Sequence, residues 1–188
     1  ADACARHGSE LLVDSYHSLG AVPFPMEGIE GAFVVGGGYK YLQLGEGNCA
    51  LRVPPDCRMR PVFTGWFSEF AELADEQIPG EVQYGAGAAR FAGSTYDPTS
   101  QYRAAAVMDF FRAQGLTAER LRRISQHQVG LLCEEFLALG LDPQIAQLKS
   151  QASLAERGGF LALECADAGG LFEGLLGRGV RTDYRANV

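Results

Sequence analysis

Lysine is almost absent from this chain. Two lysines, Lys40 and Lys149, stand against fourteen arginines, so chemistry that needs a primary amine has only two candidates. Basic excess is missing too. The formal net charge is −7, which argues against nucleic acid or an anionic membrane surface as the main partner. No apolar run approaches the roughly 20 residues of a membrane helix, and no signal-peptide pattern opens the chain. The five cysteines (4, 49, 57, 133 and 165) are odd in number and widely spaced. No C-x-x-C pair points to zinc or redox chemistry, so no metal is expected. The cysteines read as reduced thiols, and the protein as cytoplasmic.

What is present is an ordinary α/β composition: 47% hydrophobic, 21% charged, with 24 glycines in 188 residues. That length suits one domain or one and a half, with a real core. Residues 1 to 7 read as the tail of a helix stopped by Gly8. Short apolar strands are expected at 10–14, 31–36 and 48–53, the last ending at Pro54-Pro55. Residues 68–90 mix helical and loop signals, with Pro79-Gly80 as a turn and Gly85-Ala86-Gly87 as a flexible link. A helix is expected from Pro98 to Gln114, with Ala105, Met108 and Phe110/Phe111 inward and Gly115 as its stop. A second should start at the cap Thr117 and run to Leu139-Gly140. Its expected buried stripe is Leu121, Ile124, Gln128, Leu131/Leu132 and Phe136. Thr117 is thus a domain boundary, giving units 1–116 and 117–188. The second continues as strand (159–165), helix (168–176) and strand (180–184).

The chemistry sits near the start. Asp14 closes the apolar run Glu10 to Val13, and His17 follows three residues later. Lys40 closes Ala32 to Val35 and the glycines Gly36 to Gly38. An acid at one strand end and a lysine at another are what pyridoxal phosphate asks of a protein. The amine forms a Schiff base with the aldehyde, and the carboxylate keeps the ring nitrogen protonated as an electron sink. Lys149 lies in a polar stretch, 147–151, with no glycine-rich turn, so Lys40 is the candidate. Plainer readings exist for each residue. An aspartate at a strand end commonly serves a turn, a tryptophan commonly packs, and Thr95 could cap the helix that begins near Pro98. His7 and His127 read as structural.

An ordered set of motifs narrows the choice. Leu12-Val-Asp-Ser-Tyr-His-Ser-Leu-Gly-Ala-Val-Pro23, Gly38-Tyr-Lys-Tyr-Leu42 and Gly65-Trp-Phe67 come first. Arg90-Phe91 with Ser94-Thr95, Arg157-Gly-Gly-Phe160 and Arg178-Gly-Val-Arg-Thr-Asp-Tyr-Arg185 follow. Together they resemble the C-terminal part of a kynureninase, in the aminotransferase class V branch of fold-type I pyridoxal-phosphate enzymes. The resemblance implies a partial large domain with a mostly parallel sheet and helices (1–116), and a small, incomplete α+β C-terminal domain (117–188). It implies hydrolytic cleavage of L-kynurenine or 3-hydroxykynurenine to an anthranilate and L-alanine, in a homodimer. Lys40 would carry the Schiff base and shuttle protons at the α-carbon. Asp14 would pair with the pyridine nitrogen, and His17 would lie near the ring hydroxyl. Tyr39 would hold the cofactor phosphate and assist proton transfer. Trp66 would offer its indole N–H and Thr95 its hydroxyl, in such dimers often across the subunit boundary.

The chain also departs from that pattern. Ser68-Glu69 stand where the family tends to place a glycine and a histidine, and Tyr96-Asp97-Pro98 replace its usual proline turn. These differences leave open another class V reaction: an aminotransferase, cysteine desulfurase or epimerase. An inactive, truncated relative is the non-enzymatic alternative. The phosphate-binding loop, the aromatic that stacks on the cofactor ring and the arginine for the substrate carboxylate are expected outside these 188 residues. The piece by itself is accordingly expected to be inactive or weakly folded.

Overall fold

A computed structural model describes residues 1–76, 78–186 and 188. The chain divides into two compact units, Ala1–Leu116 and Thr117–Val188. In the first unit, a short helix α1 (Asp2–Arg6) precedes strands β1 (Leu12–Asp14), β2 (Phe33–Gly37) and β3 (Cys49–Arg52). The sheet order is β1-β2-β3. β2 is central, and four of its five residues are buried, as a near-continuous apolar run requires. β1 runs parallel to β2, with Asp14 opposite Val35. β3 runs antiparallel, with Gly37 opposite Cys49.

The expectation of a mostly parallel sheet needs correction here. Among the described residues only one of this sheet's two pairings is parallel. The connection explains it: residues 38–48 are too few for a crossover helix, so the chain can return only antiparallel. Two 3-10 helices, Trp66–Glu72 and Gly87–Phe91, occupy the stretch read as mixed helix and loop. The second packs on the sheet through Phe91, whose ring meets that of Phe33 edge-on at 5.8 Å.

Helix α2 (Thr99–Ala113) ends as expected at Gly115. There a left-handed backbone (φ +60°) lets Gly115 N–H reach Arg112 O while Leu116 N–H reaches Phe111 O. Its start differs by one residue, since Pro98 is the N-cap rather than a first-turn residue. Its inward line is Ser100, Ala104, Val107 and Phe111, one position off the Ala105/Met108 line expected. Polar Ser100 fixes that rotation: its hydroxyl donates to Gly47 O at 3.1 Å.

In the second unit, α3 (Ala118–Ala138) is capped by Thr117, whose hydroxyl accepts the Arg120 N–H at 3.2 Å. The buried line of α3 is Arg122, Val129, Gly130 and Cys133. Ile124, Leu131 and Leu132, expected inside, are exposed. A hydrophobic pattern cannot see why, because the deciding residue is an arginine. The Arg122 guanidinium donates to Arg157 O (2.8 Å), Leu154 O (2.9 Å) and Ala155 O (2.9 Å), turning its face of the helix inward.

Strands β4 (Ala146–Leu148) and β5 (Leu163–Cys165) pair antiparallel, and α4 (Ala168–Leu176) covers Cys165 with Ala168. β4 lies in the stretch read as polar. Ala146 and Leu148 point inward and only Gln147 points out, an alternation too short to register. The strand expected at 180–184 is absent. Its first amide is already used, because Val180 N–H caps α4 on Leu175 O at 3.0 Å and Gly179 N–H caps Leu176 O at 2.9 Å.

Arg122→Met should lower the unfolding free energy of the 117–188 unit by about 1–3 kcal/mol, since Arg157 O and Ala155 O lose the guanidinium donor and Leu154 O keeps only the longer bond from Gln126. Arg122→Lys should not restore it, because an ammonium gathers its donors on one nitrogen and lacks the planar fork whose two nitrogens reach these carbonyls. Urea titration reads both; an unchanged midpoint in Arg122→Met would show that the carbonyls need no guanidinium.

Candidate functional site

The site grows from the ends of β1 and β2. Parallel strands deliver their C-terminal ends to one edge, the usual place for a ligand in an α/β sheet. Asp14 is the last residue of β1, and Lys40 lies three residues beyond β2. After Asp14 the chain turns sharply. Asp14 Oδ1 accepts the Tyr16 N–H at 2.9 Å, so the aspartate does serve a turn. Ser15 is fully buried, and both its N–H and its hydroxyl donate to Val35 O, each at 2.8 Å. Leu19 N–H and Val22 N–H then close helical turns on Ser15 O and Ser18 O.

Gly36 and Gly37 permit this turn to lie against β2, and Gly38 lets the following loop close on itself. A Cβ on Gly36 would stand 2.5 Å from Ser15 Oγ and 2.8 Å from Leu19. One on Gly37 would enter the Tyr16 ring, and one on Gly38 would press into Leu44 at 2.6 Å. Each glycine makes room for a different neighbour.

The loop after β2 is anchored from below. Leu44 N–H donates to Gly38 O at 2.8 Å, and Gly38 N–H to Asn48 O at 2.7 Å. From α2, the Arg103 guanidinium holds Leu44 O (2.9 Å) and Glu46 O, and Asn48 donates to Ser100 O (3.1 Å). The result is a Lys40 side chain held in a cluster. Its Nζ lies 2.5 Å from His17 Nε2. With Lys40 charged, His17 accepts at Nε2 and keeps its proton on Nδ1. The same nitrogen lies 5.5 Å from the Tyr39 ring centroid and 5.9 Å from that of Tyr16.

Tyr16 carried no role in the sequence reading, yet it touches Asp14, Tyr39 and Cys49 and lies near Lys40. Its ring meets Tyr39 at 5.9 Å, and its hydroxyl donates to Cys49 Sγ at 3.3 Å. That hydrogen bond is the first cause holding the phenol above the ordinary tyrosine value, with desolvation and nearby Cys49, Tyr39 and Asp14 adding to it. A tyrosine between an aspartate and a histidine gives no periodic signal. Only its position over Gly37 reveals it.

Trp66 and Thr95 belong to a separate neighbourhood. Gly65 N–H donates to Ala92 O (3.4 Å) and Phe67 N–H to Gly93 O (3.1 Å), bringing the two segments side by side. Trp66 is 45% exposed and packs on Phe67 and Phe70 at 4.5 and 5.1 Å. Thr95 is exposed and does not cap α2; Asp97 Oδ1 does that work, accepting the Thr99 N–H at 2.9 Å. Among the described residues no hydrogen bond or ring contact joins Trp66 or Thr95 to Lys40. The departure at Ser68 has a structural part: Ser68 is buried, and its hydroxyl donates to Gly65 O at 2.8 Å.

No family model matches the chain. It is similar to curated kynureninases, at 28% identity over 187 residues to one from Bacillus cereus and 29% over 191 residues to one from Bacillus anthracis. One from Burkholderia mallei is 27% identical over 181 residues. The similarity takes in 96%, 96% and 95% of this chain and 42% of each relative, so the chain spans about two-fifths of their length. Among the described residues no helix is long and apolar enough to cross a membrane.

Removing the Cys49 thiol tests the tyrosine geometry. A phenol whose folded value is raised contributes stability that is present below about pH 10 and lost as the pH rises through the folded value. Cys49→Ala should therefore bring the tyrosinate absorbance of one residue in at lower pH, and alkaline unfolding should follow it down. An unchanged tyrosinate titration would mean that Tyr16 does not donate to the thiol in solution.

Proposed function

We propose that the protein carrying this chain is a pyridoxal-phosphate-dependent hydrolase of the kynureninase kind. Its reaction is hydrolytic cleavage of the Cβ–Cγ bond of L-kynurenine or 3-hydroxykynurenine. The products are anthranilate or 3-hydroxyanthranilate, and L-alanine. The observation that carries this reading is the Lys40 cluster at the ends of two parallel strands, with Asp14 on the adjacent strand. The likeness to kynureninases along 96% of the chain supports it.

The residues suit such a cofactor by their chemistry. One primary amine lies against an imidazole and two aromatic rings. A carboxylate ends the neighbouring strand, and glycines clear the sheet edge. When bound, pyridoxal phosphate would supply an electron sink for the substrate's α-carbon. The rest falls to this chain. Lys40 would fix the cofactor and later take the proton from the substrate's α-carbon. Asp14 would hold the pyridine nitrogen charged, since opposite charges about 3–4 Å apart at a partly screened site attract by several kcal/mol. His17 would receive the Lys40 amine at Nε2 and set its direction. Tyr39, 42% exposed beside Lys40, would bind at the cofactor's edge. Trp66 and Thr95, on segments that meet at Gly65 and Gly93, would reach a cofactor in concert, as in dimers where a second subunit completes the site. The partners are thus a small amino-acid substrate and a second copy of the chain.

Incubating the intact protein with pyridoxal phosphate and L-kynurenine should give fluorescent anthranilate. Lys40→Ala should lower turnover by about a thousandfold or more, as the loss of a positioned proton-transfer group does. Asp14→Asn should cost at least about tenfold, a pyridinium needing more than one pKa unit of support. Bound cofactor without anthranilate would favour another class V reaction. No borohydride-fixed cofactor on Lys40 would overturn the enzyme reading.

A further inference from the structure

Lys40 is held by more than the histidine beside it. Near its ammonium stands the ring of Tyr39, its chain neighbour. Against that ring, on the same flank, stands Tyr16, which comes from the turn after β1 and is fixed at three points. Its ring fills the space over Gly37 that a Cβ would occupy. Its hydroxyl is tied to Cys49 Sγ at 3.3 Å, at the start of β3 opposite Gly37. Its backbone N–H is held by Asp14 Oδ1 at 2.9 Å. Tyr16 thus spans all three strands of the sheet, and the ring so fixed lies 5.9 Å from Lys40 Nζ and 5.9 Å from Tyr39.

We propose that Tyr16 is a positioning residue for Lys40: with Tyr39 it forms one aromatic wall which, together with His17, makes a clamp that holds the free ammonium in place whenever the amine is not joined to the cofactor. The inference rests on Lys40 being the cofactor lysine. A lysine on a flexible four-carbon stem has many rotamers, and two ring faces plus one acceptor select among them. The clamp acts through Lys40 and need not touch substrate. The same Asp14 that would meet the cofactor nitrogen also fixes the turn on which Tyr16 stands, so the acid and the clamp are set by one local structure.

Two readouts on the intact protein separate the clamp from the cofactor reading. The first is NMR with 13C-lysine labelling, Lys40→Arg assigning the resonance. The Lys40 ε-methylene should be shifted by ring currents in the wild type and in Tyr16→Phe, and should move toward the Lys149 position in Tyr16→Leu. The second is the rate of pyridoxal phosphate capture at Lys40, fixed by borohydride and read by peptide mapping. Tyr16→Phe should match the wild type, whereas Tyr16→Leu should be slower by about two- to fivefold, the scale of one exposed cation–π contact. Gly37→Ala, which pushes the ring away while leaving every side chain of the cluster in the sequence, should resemble Tyr16→Leu. A Lys40 ε-methylene in the wild type with no ring-current shift, or a Tyr16→Leu variant that captures cofactor at the wild-type rate, would overturn the clamp even where Gly37→Ala fails to fold. Ring-current shifts without any capture in the wild type would sink the cofactor reading and leave the clamp standing.

Discussion

The close approach of the turn after β1 to the backbone of β2 is the constraint on which the site depends. Gly36 and Gly37 make it possible, the first facing Ser15 with Leu19 and the second the Tyr16 ring, while Gly38 gives the loop after β2 the same room against Leu44. With a side chain at Gly36 or Gly37, Ser15 and Leu19 or the Tyr16 ring would have to shift. Ser15, fully buried and bonded twice to Val35 O, is the pin that holds the two layers together. The fold thus spends its most permissive residues where two segments distant in sequence must touch.

The two sides of the Lys40 loop are held differently. Above, the cluster is made of side chains: an imidazole, two phenols and an ammonium. Below, the loop is held by α2 through donors to backbone carbonyls, from Arg103 to Leu44 and Glu46 and from Ser100 to Gly47. Bonds to carbonyls fix the path of a chain whatever its side chains are, so the loop can be rigid while its upper face carries chemistry. The second unit uses the same device. Arg122 and Arg157 both spend their guanidinium groups on carbonyls of residues 150–157, and Arg157 also reaches Cys133 Sγ at 2.6 Å. A chain rich in arginine and poor in lysine can do this widely, because the planar fork serves several acceptors at once.

Much of the helical structure was legible in the residues, and so was the place of Asp14 at the end of one strand and of Lys40 just beyond another. Thr117 caps α3, Gly115 stops α2, and residues 168–176 form α4 as the pattern suggested. These features are local: a cap, a stop glycine and a 3.6-residue period lie within a few residues of what they specify. The misreadings were of contacts from afar. The inward face of α3 follows Arg122 and its carbonyls more than thirty residues on, and the strand expected at 180–184 lost its first amide to the end of α4.

For the site, the sequence alone singled out one amine and one carboxylate as candidates, since both stand at the ends of short apolar runs and lysine is scarce. Only the tertiary structure decided that β3 returns antiparallel, that Trp66 keeps company with Phe67 and Phe70, and that Tyr16 faces Lys40. The physical reason is common to all three. Hydrogen-bond direction and ring contact depend on where the backbone closes, and that closure is fixed jointly by residues that no local pattern connects.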